Sequence, residues 1–431
     1  MKKTLKVVAS LLLVLVTSTF VFAQVSNTNF ATAYTLRDDA DNFMDVRYFN
    51  EVDFSNFWAW TNISSSYANL GFAKKFDELY LGAYYAGSLW NSIDNSELSG
   101  SIVDVNNSAV LSNEFDLLFG FSGMAFKLDT YFNTNNTSTE DTTTVTDTHA
   151  SNYYFGLTWG GLSVPAEKFN LRPWAKVGLN FIDKYGYSKT TIEELGITTT
   201  ITSHDKSGNY NYLTVILGSD FEWGDKEALF SVAGFEYLFG SRLGLNGALT
   251  TVETNVDGVS TTDTTNYVGK SYIKNTITPY YRFEYKASDN LKFGGKATVK
   301  VDMTTSSSGY SYSDTPVSTE VTLTKTTNVN SEIDFGMQYK LKENFAMNVG
   351  LKASLPNFKS TKTVIPVGED SESITVKSEV DSVFSSYLRT GFVWDITENC
   401  ALDASMSIGT TPSFLSSVLD GNLTLGFKYK M

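Results

Sequence analysis

Two histidines are the residues whose neighbours would best suit hydrolytic chemistry. His149 ends the run Thr146-Asp147-Thr148-His149, and His204 lies in Ser203-His204-Asp205. A Ser-His-Asp site requires a histidine whose ring is held by a rigid partner. Both histidines stand in threonine- and serine-rich segments that we predict to be surface loops. We therefore expect no catalytic residues and no enzyme activity.

Metal and cofactor sites have few candidate ligands. Two separated histidines and the single cysteine, Cys400, are too few for a zinc site, which takes three or four nitrogen or sulfur ligands. Acidic clusters at Glu140-Asp141 and at Glu369-Asp370 with Glu372 are typical of solvated loop ends. No glycine-rich phosphate loop or dinucleotide fingerprint occurs. We predict neither a metal site nor a bound cofactor.

Basic side chains at alternating positions are the strongest candidates for a functional surface. In the segment 291–303 the odd positions are apolar or small, and the even positions include Lys292, Lys296 and Lys300. Alternation at period two is the pattern of a β-strand with one apolar and one wet face. The same pattern recurs at 333–339, 345–351 and 402–408.

The N-terminus has the composition of an export signal. Lys2, Lys3 and Lys6 precede an apolar run at 7–16, and Val21-Phe22-Ala23 stands before Gln24. This order predicts a cleaved signal peptide at residues 1–23. Beyond it, no stretch approaches the roughly 18 to 20 consecutive apolar residues that a spanning helix needs. A secreted soluble β protein and a membrane β-barrel remain.

Composition excludes several other classes. Aromatic residues make up 14% of the 431 residues and charged residues 19%, which is too much buryable surface for a disordered chain. One cysteine cannot form an internal disulfide framework. A net charge of −14 argues against a nucleic-acid partner, because phosphate binding needs a positive surface.

Connection lengths alternate along the chain, and this alternation favours the barrel. Short turns are predicted at 74–78, 224–226, 287–290, 341–344 and 397–399, and long polar loops at 91–108, 134–150, 188–208, 241–269, 304–326 and 356–379. Short turns on one rim and long loops on the other are typical of outer-membrane barrels. We predict an all-β fold: a single transmembrane, antiparallel, up-and-down β-barrel of about 14–16 strands, with short periplasmic turns and long extracellular loops. The barrel would span residues 63–431, and residues 24–62 would form a first strand or a hatch-like plug.

The final strand carries a further pattern. Apolar residues alternate with polar ones up to the last position, at Leu423, Leu425, Phe427, Tyr429 and Met431. This resembles the C-terminal signature of bacterial outer-membrane β-barrel proteins, although here Met431 follows the aromatic residues. The resemblance implies a location in the cell outer membrane, with membrane lipid and the barrel assembly machinery as partners. The length and the lysine-rich turns are similar to those of spirochaete outer-membrane proteins, including relatives of the hydrophobic-compound transporters.

The inward face follows from the outward one by parity. The predicted lumen-lining residues are seven basic side chains: Lys274, Arg282, Lys292, Lys296, Lys300, Lys352 and Arg389. Four acidic residues share their inward parity: Asp129, Asp302, Asp334 and Asp403. These charges would either attract and orient polar solutes in an aqueous channel or pair across neighbouring strands and fill the lumen. A barrel of about 16 strands is wide enough to leave an aqueous passage.

Three functions remain open on the sequence. The first is a porin-like channel for passive diffusion of small polar solutes. The second is a transporter of hydrophobic compounds in which residues 24–62 fold inward as a hatch. The third is a surface adhesin or antigen whose long loops contact host surface molecules.

Overall fold

The computed structural model describes most of the chain from residue 43 onward. The described residues are 43, 45–51, 56–62, 67–88, 105–140, 144–194, 197–206, 210–243, 248–256, 258–268, 272–312, 322–366, 372–380, 384–409 and 422–430. The predicted signal peptide and Met431 lie outside them. No described helix is both long enough and apolar enough to cross a bilayer.

The described residues form twenty-two strands, numbered here in chain order, in one sheet. They are β1 Asn56–Asn62, β2 Tyr67–Phe76, β3 Leu79–Ser88, β4 Val105–Phe121, β5 Met124–Glu140, β6 Thr144–Gly160, β7 Val164–Pro165, β8 Asn170–Glu194, β9 Ile197–Lys206, β10 Tyr210–Gly224, β11 Leu229–Leu243, β12 Ala248–Val256, β13 Val259–Val268, β14 Tyr272–Ser288, β15 Leu291–Tyr312, β16 Thr322–Lys342, β17 Phe345–Ser354, β18 Phe358–Pro366, β19 Glu372–Val380, β20 Ser385–Thr397, β21 Cys400–Gly409 and β22 Asn422–Lys430. A short 3-10 helix, Phe49–Glu51, precedes β1.

Sixteen of these strands close into an antiparallel barrel, which confirms the predicted fold class at the upper end of the expected strand number. The wall consists of β1 to β6, β8, β10, β11, β14 to β17 and β20 to β22. The ring closes where β1 pairs with β22, with Asn56 opposite Lys430. Within the part of the chain that is described, the wall therefore begins at Asn56, and the end of the segment 24–62 forms a first wall strand, one of the two alternatives predicted for it. The alternation in β1 is hard to recognise, because aromatic residues stand at the consecutive positions 57 and 58.

One rim carries the tight turns, as predicted. Two-residue turns join β2 to β3, β4 to β5, β14 to β15, β16 to β17 and β20 to β21. Between β4 and β5, Ser122 and Gly123 have φ values of 50° and 79°. Two successive positive φ values define the type I′ turn, whose twist matches that of paired strands. This is the periplasmic rim.

The opposite, extracellular rim differs from the prediction. Much of the sequence expected as long loops is strand: β5 runs to Glu140, β15 runs to Tyr312, and β9, β12, β13, β18 and β19 are additional strands. The additional strands pair with the extended wall strands in two groups. β9 pairs with β8 and β12, and β13 pairs with β12 and β15. β18 pairs with β16 and β19. Threonine is β-branched and suits strands. Above the membrane both sheet faces meet water, so the apolar alternation disappears although the strands continue.

The loop placement of the two histidines is therefore wrong. His149 lies in β6, opposite Tyr185 of β8, and His204 lies in β9, opposite Tyr187 of β8. Both positions belong to strands that continue the wall beyond the membrane.

The barrel exterior is apolar. Ile277, Val299, Ile333 and Leu351 stand on the outward face with 39–50% of their surface exposed. Soluble monomers rarely expose continuous apolar patches larger than a few hundred square ångströms. In a closed barrel such a band faces the hydrocarbon of a bilayer.

Candidate functional site

The main buried cluster among the described residues lies inside the barrel, at its periplasmic end. Residues 43 and 45–51, here called the lumenal segment, supply Phe43, Val46 and Phe49 to it. The wall supplies Ala73, Tyr84, Leu118, Ala125 and Ala401. Phe43 and Phe49 have no exposed surface. The segment is thus packed against the inner wall.

Small wall residues make room for this segment. A Cβ atom added at Gly82 of β3 would lie 2.9 Å from Cε2 of Phe43 and 3.1 Å from Phe49. A Cβ added at Gly160 of β6 would lie 3.0 Å from Cγ1 of Val46. Real Cβ atoms essentially never lie within 3.0 Å of a neighbour, and at 3.0–3.1 Å the neighbour would have to move by a few tenths of an ångström. The apolar side of the lumenal segment therefore depends on glycine at these wall positions.

Arg47 anchors the polar side of the segment. Its guanidinium donates to Asp220 of β10 at 3.0 Å and to the Tyr280 hydroxyl of β14 at 2.8 Å. Within the segment it also pairs with Asp45 at 2.8 Å. The hydroxyl of Tyr48 donates to the same Asp220 at 2.8 Å, and Tyr280 also hydrogen-bonds to Asp220. One buried carboxylate of the wall thus receives three side chains.

A second ionic contact lies closer to the periplasmic rim. Glu51 contacts Arg172 of β8 and pairs with Lys226 of the β10–β11 turn at 3.0 Å. Arg172 donates from Nε to Glu222 at 2.7 Å and from Nη1 to the backbone carbonyl of Arg47 at 3.2 Å. Its guanidinium also lies 4.8 Å from the centre of the Tyr48 ring. Two wall strands, β8 and β10, therefore hold both ends of the segment 47–51.

These contacts stabilise the charged forms of the segment's ionisable groups. Burial opposes the charge on Arg47, but Asp45 and Asp220 outweigh it and hold the pKa of Arg47 well above its ordinary value. Burial would likewise raise the pKa of Glu51, but Arg172 and Lys226 outweigh that effect and lower the pKa below the ordinary value. Both groups are therefore charged at neutral pH.

Further up the lumen, charges of both signs pair on neighbouring strands. Lys127 of β5 lies 2.7 Å from Asp116 of β4 and 2.8 Å from Asp129, and Lys176 of β8 lies 2.7 Å from the other oxygen of Asp129. Thr158 of β6 donates to Asp129 at 3.2 Å. This cluster spans four adjacent wall strands.

The seven predicted lumen residues all stand at inward positions of their strands, and several are ion-paired. Arg282 pairs with Glu284 at 2.7 Å and Lys352 with Glu332 at 2.8 Å. Lys274 and Lys300 share Asp302 at 3.3 and 3.5 Å. The remaining three are placed as follows: Lys296 lies 5.5 Å from the centre of the Tyr280 ring, Lys292 is opposite Lys286 near the periplasmic rim, and Arg389 is opposite Gly350.

The sequence prediction did not include the residues that hold the lumenal segment. Arg47 precedes the first strand, where no alternation marks it. Asp220 and Glu222 stand at even positions of β10, between outward-facing Ser219, Phe221 and Trp223. The parity rule that selected the lysines would also have selected these two acids. Their partners in the lumenal segment carry no such signal.

The final strand, β22, pairs with β21 on one side and with β1 on the other. Tyr429 is 44% exposed on the outward face, and Phe427 is opposite Leu402 of β21. Met431 falls outside the described residues. Within the part of the chain that is described, no group of three or more His, Cys, Asp or Glu residues is arranged to hold a metal ion.

Comparison with known proteins shows likeness only at the level of structure. No protein-family model and no curated protein sequence matches the chain. The toluene transporter TodX of Pseudomonas putida is similar at 7% identity and a TM-score of 0.43, over 95% of this chain and 98% of that one. The ferric yersiniabactin uptake receptor FyuA of Yersinia pestis is similar at 7% identity and a TM-score of 0.37, over 87% of this chain and 80% of that one. The monoaromatic hydrocarbon channel CymD is similar at 8% identity and a TM-score of 0.38, over 91% of this chain and 93% of that one.

The chain's own strand pairing defines its class. A closed antiparallel barrel with an apolar exterior, charged interior positions, tight turns on one rim and long strand extensions on the other is an outer-membrane β-barrel.

Proposed function

We propose that the chain is an outer-membrane channel for small polar solutes whose periplasmic mouth is closed by the lumenal segment. The observation that carries this proposal is the docking of Arg47 and Glu51 onto the inner faces of β8, β10 and β14. A segment fixed across the inner wall at one end obstructs passage there. Its removal would open that end.

Polar solutes are favoured by the wall above the segment. Asp116, Lys127, Asp129 and Lys176 form one charged cluster, and Lys274, Lys300 and Asp302 form another. Paired charges of opposite sign create strong local fields across a pore, which orient dipolar solutes without a strong preference for one sign of charge.

The connection to β1 allows the segment to leave the barrel. β1 starts at Asn56, opposite Lys430, and the neighbouring strand β2 ends at Phe76 beside the tight turn at Asp77. Asn56 is therefore at the periplasmic rim. A segment tethered there can leave the mouth on the periplasmic side without crossing the wall.

Planar-bilayer recording tests the proposal. The variant to compare with the wild type lacks residues 24–51 and keeps β1; a deletion through residue 62 would remove a wall strand and confound the result. We expect the deletion to raise conductance at least severalfold, with the same heat-modifiable gel migration as evidence of a folded barrel. Folded protein that gives no channels in either form would refute the channel.

A transporter of hydrophobic compounds is the second candidate. The apolar side of the lumenal segment favours it, because Phe43 and Phe49 meet Tyr84 and Leu118 and form an apolar surface inside the barrel. Proteoliposome uptake distinguishes the two: a polar channel admits small sugars after deletion of residues 24–51, whereas a hydrophobic transporter takes up a radiolabelled aromatic hydrocarbon in the wild-type form.

We also propose that the chain has no enzymatic role.

The adhesin hypothesis would gain support only if the folded barrel conducted neither ions nor solutes. The strand extensions above the membrane are long enough to display a binding surface.

A further inference from the structure

Two lysines face each other on the outer surface of the extracellular extension. Lys325 of β16 and Lys362 of β18 are direct cross-strand partners. Lys325 has the same parity as the outward-facing Ile333 and Phe335 of β16, so the pair stands on the outer surface. Both side chains are exposed. Like charges directly opposite each other destabilise a strand pair.

No acidic residue occupies the positions next to this pair on the same face. The six neighbours by register are apolar or hydroxyl-bearing: Thr305, Leu323, Thr327, Ser360, Val364 and Val376. On the inner face of the hairpin formed by β18 and β19, in contrast, the lysines have acidic neighbours. Lys377 pairs with Glu379 at 2.5 Å, and Lys359 is opposite Glu379 in register. In a chain of net charge −14, the outer pair is thus a local positive site.

The height of the pair relative to the membrane follows from strand geometry. The outward apolar band on β16 runs from Tyr339 to Val329, and Phe358 of β18 lies opposite Val329 with 51% of its surface exposed. At a rise of about 3.3 Å per residue and a tilt of about 40°, this band is about 25 Å tall, the usual height of such a band. Lys325 lies about 10 Å above its upper edge by the same geometry.

At that height the Lys325 backbone lies about 2–5 Å beyond the headgroup region, a distance that a lysine side chain can span. The headgroup region adds about 5–8 Å on each side of the hydrocarbon. A lysine stem can lie along apolar surface while its ammonium group reaches towards charge. Val376, which is 64% exposed, provides that apolar surface directly opposite Lys362, and Phe358 lies four residues nearer the membrane on the same face of β18.

We propose that Lys325 and Lys362 bind the phosphate group of an anionic lipid in the outer leaflet. The two ammonium groups would pair with the phosphate and relieve their mutual repulsion, and Thr327, the next residue towards the membrane on the same face of β16, would donate from its hydroxyl to a phosphate oxygen. The apolar row at Phe358 is continuous with the lipid-facing band and would contact the upper part of the acyl chains. The site lies outside the lumen and does not depend on the proposed channel function.

Native mass spectrometry of the full-length barrel in detergent tests the site. The lipid probes are phosphatidylglycerol and phosphatidylcholine, and the variant is K325Q/K362Q. Because a basic residue near a charged lipid surface contributes a few-fold to tenfold in affinity, we expect the double variant to bind phosphatidylglycerol roughly thirtyfold more weakly. Binding of phosphatidylcholine should not change.

The matched control is K359Q/K377Q, which removes two charges from the inner face of the same hairpin. It should retain phosphatidylglycerol like the wild type. The proposal is overturned if K325Q/K362Q binds phosphatidylglycerol as tightly as the wild type, if both double variants weaken it equally, or if the wild type does not distinguish the two lipids. Gel migration before and after heating confirms that each variant is folded.

Discussion

Arg47 and Asp220 form an ion pair 3.0 Å long between residues that are 173 positions apart in the chain. The aspartate is 2% exposed, and it also accepts hydrogen bonds from Tyr48 and Tyr280. The contact joins a segment outside the wall strands to the inner face of β10. The pair therefore links the N-terminal region to the interior of the barrel.

Replacing Arg47 by alanine should release the lumenal segment. Removing one partner of a buried pair leaves the other charge uncompensated, at a cost of roughly 3 kcal/mol, or more than a hundredfold in the docking equilibrium. We expect a higher open probability in planar bilayers. R242A, which removes an arginine near the extracellular end of β11, should behave like the wild type. Equal open probability in R47A and wild type would contradict this prediction.

Substitution of Gly82 by valine should displace the same segment from its apolar side. Its side chain would occupy the space of the Phe43 and Phe49 rings. Overpacking of this kind costs about 1–3 kcal/mol. We expect trypsin to cleave after Arg47 at least about tenfold faster in folded G82V barrels than in wild type. A83V, on the lipid-facing side of the same strand, is the control, and cleavage at the same rate in both variants would count against the close fit.

Acidification should weaken the docking through Glu51. Arg172 and Lys226 hold its pKa below the ordinary value in the docked segment. A lowered pKa means that the stabilisation is complete above the ordinary glutamate pKa and is lost as pH falls below it towards the lowered value. Conductance of the wild type should therefore rise in that acidic range. E51Q should conduct more than wild type at neutral pH and lack this component of the pH response. An identical pH profile in both proteins would show that Glu51 is not the group whose protonation weakens the docking.

Single cysteines at adjacent wall positions test the two faces directly. In a background where Cys400 is serine, V299C should resist a water-borne thiol reagent and K300C should react at least about tenfold faster, because hydrocarbon surrounds one face and water fills the other. Labelling rates in intact cells provide the measurement. Equal rates at both positions would contradict the orientation of β15.

The membrane-spanning strands could be predicted because two solvents impose a period of two on them. β15 shows this from Leu291 to Met303, where every second residue is apolar or small and has outward parity. The same strand continues to Tyr312 through Thr304, Thr305 and three serines, where water lies on both sides. No alternation is required there, and a polar run without alternation predicts a loop. The misplacement of His149 and His204 has the same cause.

The lumenal segment could not be predicted in detail for a different reason. Arg47 reaches Asp220 and Tyr280 through tertiary contacts between distant parts of the chain. Neither a helical nor a strand period marks residues 43–51, and the glycines that receive Phe43 and Val46 resemble ordinary strand glycines. Only the closed wall brings these groups together. The sequence indicated that residues 24–62 would form a first strand or a hatch-like plug, but it did not show that one segment supplies both β1 and a docked lumenal segment.

The pairing of β1 with β22 has a consequence for biogenesis. Because the first wall strand must wait for β22, the cylinder cannot be sealed until β22 has been synthesised. Until then, two edge strands more than 360 residues apart in the chain have unpaired backbone N–H and C=O groups, with which other polypeptides can pair. Loss of either terminal strand would expose such a margin permanently, so chaperoning of the nascent chain should matter more to the yield of this protein than the stability of any single hairpin.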